Sequence, residues 1–231
     1  MLPLNGLRCL TTMWIVISHG LVYMTDVTFN RALLFFVTDH LLLQAFANAF
    51  FTVDTFISMS GFLLGYSFLE LEAKKAKEGI KESFGKKLSL ICLATLNRVT
   101  RLLPAYLFAL GFAYTTSAIR HRRTIFWSGE RNDINCPSNW WRNLLFINNL
   151  FPKAEMCMSW GWYLGSEMQN FLIGLVLLTL ATKYFKLAMF TFASVFIVAH
   201  AYTGYTTYAA GFIPFLDSSW IQFDTVYSPT W

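Results

Sequence analysis

Five ionisable side chains stand inside apolar stretches of this chain: Arg8, His19, Asp54, Glu167 and His200. Such groups are costly in an apolar setting and therefore mark functional positions. His19 is the side chain in this set best able to take and return a proton near neutral pH. Its chemistry would be that of a general base. Arg8 and His19 are eleven residues apart, which on a helix is about 16 Å and three turns, near one face. Asp54 can orient an imidazole, as a carboxylate does in a triad, or can pair with an arginine. Glu167 follows Trp160 and Trp162 and has Gln169 and Asn170 beside it. It reads as an acceptor-binding carboxylate, a second orienting group or a satisfied interface residue. Arg98 and Arg101 are spaced i and i+3, hence on one helical face. Guanidinium forks match phosphate oxygens, and the simpler reading is anchoring at a membrane surface.

The elements that must position these residues are membrane helices. The chain has 231 residues, 55% hydrophobic and 13% charged, with a mean hydropathy of +0.46. A soluble domain is roughly 25% charged, so this composition excludes an ordinary cytosolic enzyme, a coiled coil and a disordered chain. A bilayer-spanning helix needs about 20 apolar residues. Five stretches qualify: residues 6–24, 46–69, 102–119, 160–182 and 187–205. Pro104 falls in the first turn of the third, where a missing N–H costs least. The fold expected is an all-α integral membrane protein, a polytopic bundle of about five transmembrane helices. No P-loop, GxGxxG, HExxH or GxSxG motif occurs, no Cys/His spacing suits a metal, and nothing suggests nucleic-acid binding.

Basic residues set the expected orientation, since they favour the cytosolic side. Residues 70–101 form the long polar stretch, with Lys74, Lys75, Lys77, Lys81, Lys86, Lys87, Arg98 and Arg101. It reads as a cytosolic loop, with residues 88–97 lying along the membrane surface. Arg98 then stands at the inner mouth of the third span and Glu167 at the outer mouth of the fourth. Eleven basic residues fall inside and seven, including Arg31, fall outside. Residues 120–159 become the outer loop and hold Cys136 and Cys157. An oxidising compartment would let these two pair; two separate free thiols is the alternative. Cys9 and Cys92 are expected to be free.

Four ordered motifs resemble a known family. LNGLRCLTTMWIVISHG (4–20) is similar to the first-helix signature of the membrane acyltransferase type 3 family, a basic residue followed after ten residues by His. VDTFISMSGFLLGY (53–66) resembles its second-helix pattern, and NRVTRLLPAY (97–106) its RxxR element. Residues 136–172 resemble the animal, nose-resistant-to-fluoxetine-like branch. The resemblance implies a membrane O-acyltransferase that moves an acyl group from cytosolic acyl-CoA to a hydroxyl on the outer or lumenal side. It assigns His19 as catalytic base, Arg8 as a supporting basic residue, and Arg98 and Arg101 as CoA-phosphate contacts. Asp54 and Glu167 fall at acidic positions of the family.

The implied partners are membrane lipids, acyl-CoA and a hydroxyl acceptor, whether lipid, glycan or protein; no metal is implied. The implied location is the plasma membrane or an endomembrane. Family members carry about ten spans, so residues 1–231 are expected to be the N-terminal part of a larger acyltransferase domain. Gly161 and Gly165 depart from the family's usual pattern around Glu167. The rival readings are a non-enzymatic transporter of lipids or small molecules, and an inactive scaffold.

Overall fold

The computed structural model describes residues 2–27, 50–80, 83–124 and 130–209. Arg31, Lys81, residues 46–49 of the expected second span and the last residues of the chain lie outside these ranges. Among the described residues the fold is all helix: α1 (Leu2–Val27), α2 (Phe50–Lys77), α3 (Phe84–Arg123), α4 (Asn132–Leu144), α5 (Trp162–Ala181) and α6 (Phe185–Ala209). Three short 3₁₀ turns lie between α4 and α5. The chain forms two compact units, residues 1–175 and 176–231.

Lipid is the solvent this surface is made for. Phe108 is 77% exposed and Tyr208 87% exposed, and Phe190, Val198 and Leu10 are exposed too. In water such a surface would aggregate. Three described helices are long and apolar enough to cross a membrane: residues 85–123, 159–181 and 185–209. The five-span expectation is therefore met only in part by composition. α1 and α2 have the length, but Thr11, Thr12, Ser18 and His19 on one, and Thr52, Asp54, Ser58 and Ser60 on the other, dilute their apolar character.

The α1 residues turned inward recur at Arg8, Thr11, Ile15 and Ser18, the 3–4 spacing of one helix face. α1 packs against α2. The hydroxyls on this face are spent on the helix itself: Thr11 donates to the Leu7 carbonyl at 2.8 Å and Ser18 to Trp14 at 2.9 Å. α2 ends in a Schellman turn, with Ile80 N–H on the Lys75 carbonyl and Gly79 N–H on Ala76. Gly79 has φ +68, a backbone region in which other residues are strained. Lys74, Lys75 and Lys77 in the last turn suit the negative end of the helix dipole.

α3 differs from expectation. It runs unbroken for 40 residues, so residues 88–97 continue the axis of the third span instead of turning along the surface. Pro104 lies in the interior of this helix, not in a first turn. Its ring removes the hydrogen bond that the Thr100 carbonyl would otherwise accept. At 1.5 Å per residue α3 is about 60 Å long, twice a hydrocarbon core.

α4 lies antiparallel along the second half of α3. Ser117 Oγ donates to Asp133 at one end, 3.2 Å, and Asn143 Nδ2 donates to Tyr106 Oη at the other, 2.8 Å. The α3 side chains Tyr106, Leu110 and Ala113 form a stripe that packs with Cys136, Phe146, Cys157, Met158 and Met168. Tyr106 and Phe146 stack at 5.9 Å. Cys136 and Cys157 are bonded, and Cys9 and Cys92 are free and exposed. Asn143 also donates to the Cys157 carbonyl at 2.9 Å, and Met158 N–H donates to Asn132 Oδ1 at 2.8 Å. These bonds hold Met158 at φ 55, a left-handed conformation that costs a residue with a side chain about 1–2 kcal/mol.

Two outcomes are expected. The disulfide links cysteines 21 residues apart, so replacing both by serine should lower stability by about 3 kcal/mol, read as a lower thermal midpoint of the purified protein. The second concerns acid. Arg131 donates to both oxygens of Asp133 at 3.1 and 3.0 Å, and with Ser117 it pulls the carboxyl from 3.8 to about 2. A depressed carboxylate stabilises the fold fully above its unfolded pKa and loses that contribution as pH falls through its folded one. Stability should therefore be flat above pH about 4 on account of this group and decline toward pH 2; Asp133→Asn should remove that decline.

Candidate functional site

Apart from His200 in the second unit, the residues with chemistry fall in two places within the first unit. One is α1. Its unbroken helix places Arg8 and His19 eleven residues apart within about 20° of one another around the axis, so the expected shared face is present. Arg8 is half-buried and His19 is exposed. His19 Nδ1–H donates to the Ile15 carbonyl at 2.9 Å. In the neutral ring this leaves the Nε2 lone pair as the acceptor, which is the arrangement a base requires. The orienting group is thus a backbone carbonyl. Asp54, expected to hold the tautomer, is exposed on α2 and makes no hydrogen bond or ion pair with the described residues. His200 on α6 repeats the pattern, bonding the Phe196 carbonyl at 2.8 Å and lying over the Phe196 ring.

The second place joins three helices. Arg98 of α3 forms an ion pair with Glu167 of α5 through Nη2 and Oε1. Ser60 of α2 donates to the same carboxylate oxygen at 2.8 Å and accepts from Arg98 Nη2 at 3.2 Å. Both charged side chains are mostly buried. Phe171, one turn beyond Glu167, lies under the guanidinium at 4.4 Å, close enough for a cation–π contact. α5 therefore holds Arg98 with a carboxylate and a ring from one face.

This contact corrects the expected geography. Arg98 at an inner mouth and Glu167 at an outer mouth would be a membrane thickness apart, yet they touch. The reason is the antiparallel register of α3 and α5. The third and fourth spans were expected at 102–119 and 160–182, and α3 extends well past residue 102 on its N-terminal side. Arg98 and Arg101 are also unlike one another: Arg98 is turned inward and engaged, whereas Arg101 is exposed. Ser60 was missed by the sequence reading. It lies within the second motif, but a serine in an apolar helix ordinarily bonds its own backbone, so only the register shows that it bonds Glu167.

The two glycines also find their reason here. A Cβ on Gly161 would come within 2.8 Å of Tyr106 Oη, and one on Gly165 within 2.8 Å of Asn148 Oδ1 and 3.2 Å of the Phe146 carbonyl. They let the segment after α4 lie directly on the α5 backbone, which leaves the next helical face free to carry Glu167. Asn149 and Gln169 exchange amide hydrogen bonds at 3.1 and 2.8 Å and complete that contact.

Truncating the carboxylate should expose what the pair contributes. Glu167→Gln leaves a guanidinium in a mostly buried position without its counter-charge, a loss of about 3 kcal/mol. Adding Arg98→Gln should restore about 1 kcal/mol or more, since the two residues share one contact. Thermal unfolding of the two single variants and the double variant measures this, and strictly additive losses would mean the pair is not coupled.

A family model described as an acyltransferase domain matches residues 2–227. The nose resistant to fluoxetine protein 6 of Caenorhabditis elegans is 29% identical over 175 residues, which is 72% of this chain and 20% of that protein. The chain thus spans about a fifth of the length of the curated relative it matches. No solved structure matches. The matched region takes in α1 with its Arg8–His19 spacing and the α2, α3 and α5 residues that meet at Glu167, and the chain belongs to the membrane acyltransferase type 3 family.

Proposed function

We propose that this chain is the part of a multi-pass membrane O-acyltransferase that carries its proton-transfer residue, with acyl-CoA as donor and a hydroxyl group across the membrane as acceptor. The observation that carries this reading is the state of His19: a ring tied at Nδ1 to Ile15, with Nε2 free to take a proton, on the helix that holds Arg8 at the family spacing.

The reaction follows from those groups. Nε2 accepts the proton of the acceptor hydroxyl while its oxygen attacks the thioester carbonyl. The tetrahedral intermediate expels the CoA thiolate, and the imidazolium returns the proton to that sulfur. An ester forms, a thioester breaks and the histidine is restored. Arg8, on the same face about 16 Å away, is a supporting basic residue that offers positive charge to an anionic part of the donor. Asp54 lies on α2, the helix packed against α1. Arg101 is exposed and offers a fork to a CoA phosphate. Arg98 can serve the same phosphate only by exchanging its hold on Glu167, so in this arrangement Glu167 and Ser60 position Arg98 and do not transfer protons.

The test is turnover of acyl-CoA by the purified full-length protein. His19→Ala should lower kcat by about 10²-fold or more, with formation of the Cys136–Cys157 disulfide as the check that the fold survives. Arg101→Ala should raise the KM for acyl-CoA and leave kcat near its starting value. Normal turnover in the His19 variant would remove the base from this reading, and no turnover by the unsubstituted protein would return the chain to a transporter or a scaffold.

A further inference from the structure

The contact between Arg98 and Glu167 is incomplete as an ion pair. Its bonds converge on one nitrogen and one oxygen. Arg98 Nη2 donates to Glu167 Oε1 and to Ser60 Oγ, and Ser60 donates to the same Oε1. Arg98 Nε is buried and has no hydrogen-bond partner among the described residues. A buried donor without a partner costs free energy. The Arg131–Asp133 pair is built differently. Its guanidinium gives Nε and Nη2 to both carboxylate oxygens at 3.1 and 3.0 Å, the two-pronged geometry in which a guanidinium is held best. Glu167 holds Arg98 by one prong.

The surroundings of Arg98 let it turn. The Phe171 ring centre lies 4.4 Å from the guanidinium carbon, and a cation–π contact of this kind has no directional bond to break. Arg101 is exposed. The two arginines differ by about 60° around α3 and about 4.5 Å along it, so one phosphate can take a fork from each. Arg98 reaches such a phosphate only by leaving Glu167.

We infer that Glu167 and Ser60 form an autoinhibitory latch: an internal carboxylate occupies Arg98 and competes with the phosphate of the donor. The inference rests on the proposed use of Arg98 and Arg101 by acyl-CoA and adds that Glu167 sets the donor's affinity. A phosphate held at Arg101 recruits Arg98 as that side chain leaves Oε1. The bond from Ser60 to Glu167 survives the exchange, so α2 and α5 stay tied while α3 changes partner. The apparent affinity is then the affinity of the two forks reduced by the fraction of molecules in which Arg98 is released.

The sign of the effect separates a latch from a support. Binding of coenzyme A to the purified full-length protein in phosphatidylcholine nanodiscs is followed by titration calorimetry. Ser60→Ala removes a bond from each partner and changes no charge; it should tighten Kd several-fold. Glu167→Gln removes the competitor and should tighten Kd about tenfold or more. Removing a residue that only supports Arg98 would weaken binding or leave it unchanged, and either result overturns the latch. Losing a negative charge also attracts phosphate at long range, so Glu167→Gln is repeated in an Arg98→Gln background. The latch predicts no gain there, and an equal gain would reduce Glu167 to a distant charge and overturn the proposal. Formation of the Cys136–Cys157 disulfide checks the fold of each variant. Where Glu167→Gln does not fold, Ser60→Ala decides alone, and unchanged or weaker binding sinks the latch. Absence of coenzyme A binding by the unsubstituted protein at millimolar concentration would remove the donor reading and the latch together. Binding that is indifferent to Ser60 and Glu167 would remove the latch and leave the donor reading standing.

Discussion

A guanidinium and a carboxylate removed from water hold three helices to one register. Arg98 and Glu167 must each keep a partner in a setting where an isolated charge is very costly, and Ser60 ties α2 to the same oxygen. The pair therefore specifies more than it stabilises. A slide of α3 along α5 by one turn would strand both charges, so the antiparallel alignment has few alternatives. Everything above this layer, including the α4 lobe and the disulfide, inherits its height from it.

The lobe answers a different problem. Its chain is irregular and rich in asparagine, yet it packs against apolar helices. Side-chain amides stand in for the water that such backbone would otherwise need: Asn143 bonds Tyr106 and the Cys157 carbonyl, Asn132 accepts from Met158, and Gln169 caps Phe146. Glycines 161 and 165 bring the two backbones within reach, and the disulfide limits the freedom of the loop when it is not docked. Close approach, amide bonding and covalent closure are parts of one solution, which is why a glycine that looks like a loose motif position is a tight packing position.

Much of the architecture was legible beforehand because it depends on composition and period. Lipid as solvent, helices as the secondary structure of the described residues, and the shared face of Arg8 and His19 follow from hydropathy and from 3.6 residues per turn. Cys136 and Cys157 were readable as a pair only on the assumption of an oxidising compartment, and their bonding resolves that alternative. The helix that carries the third span is longer than the span itself, because a hydropathy run marks where apolar residues are densest, whereas a helix continues as long as its backbone bonds can. α3 therefore runs through Lys86, Arg98 and Pro104 without a break.

Taken alone, the order of residues determined the kind of solvent, the kind of fold, the family signature and the spacing of groups within each helix. These are local properties, set by side-chain hydration and by the geometry of a single helix. The tertiary structure decided which groups meet. That Arg98 takes Glu167, that Ser60 joins them, and that Asn148 lies on two glycines are relations between different elements of the chain. They depend on how helices slide and rotate against one another, and no period within a helix encodes that.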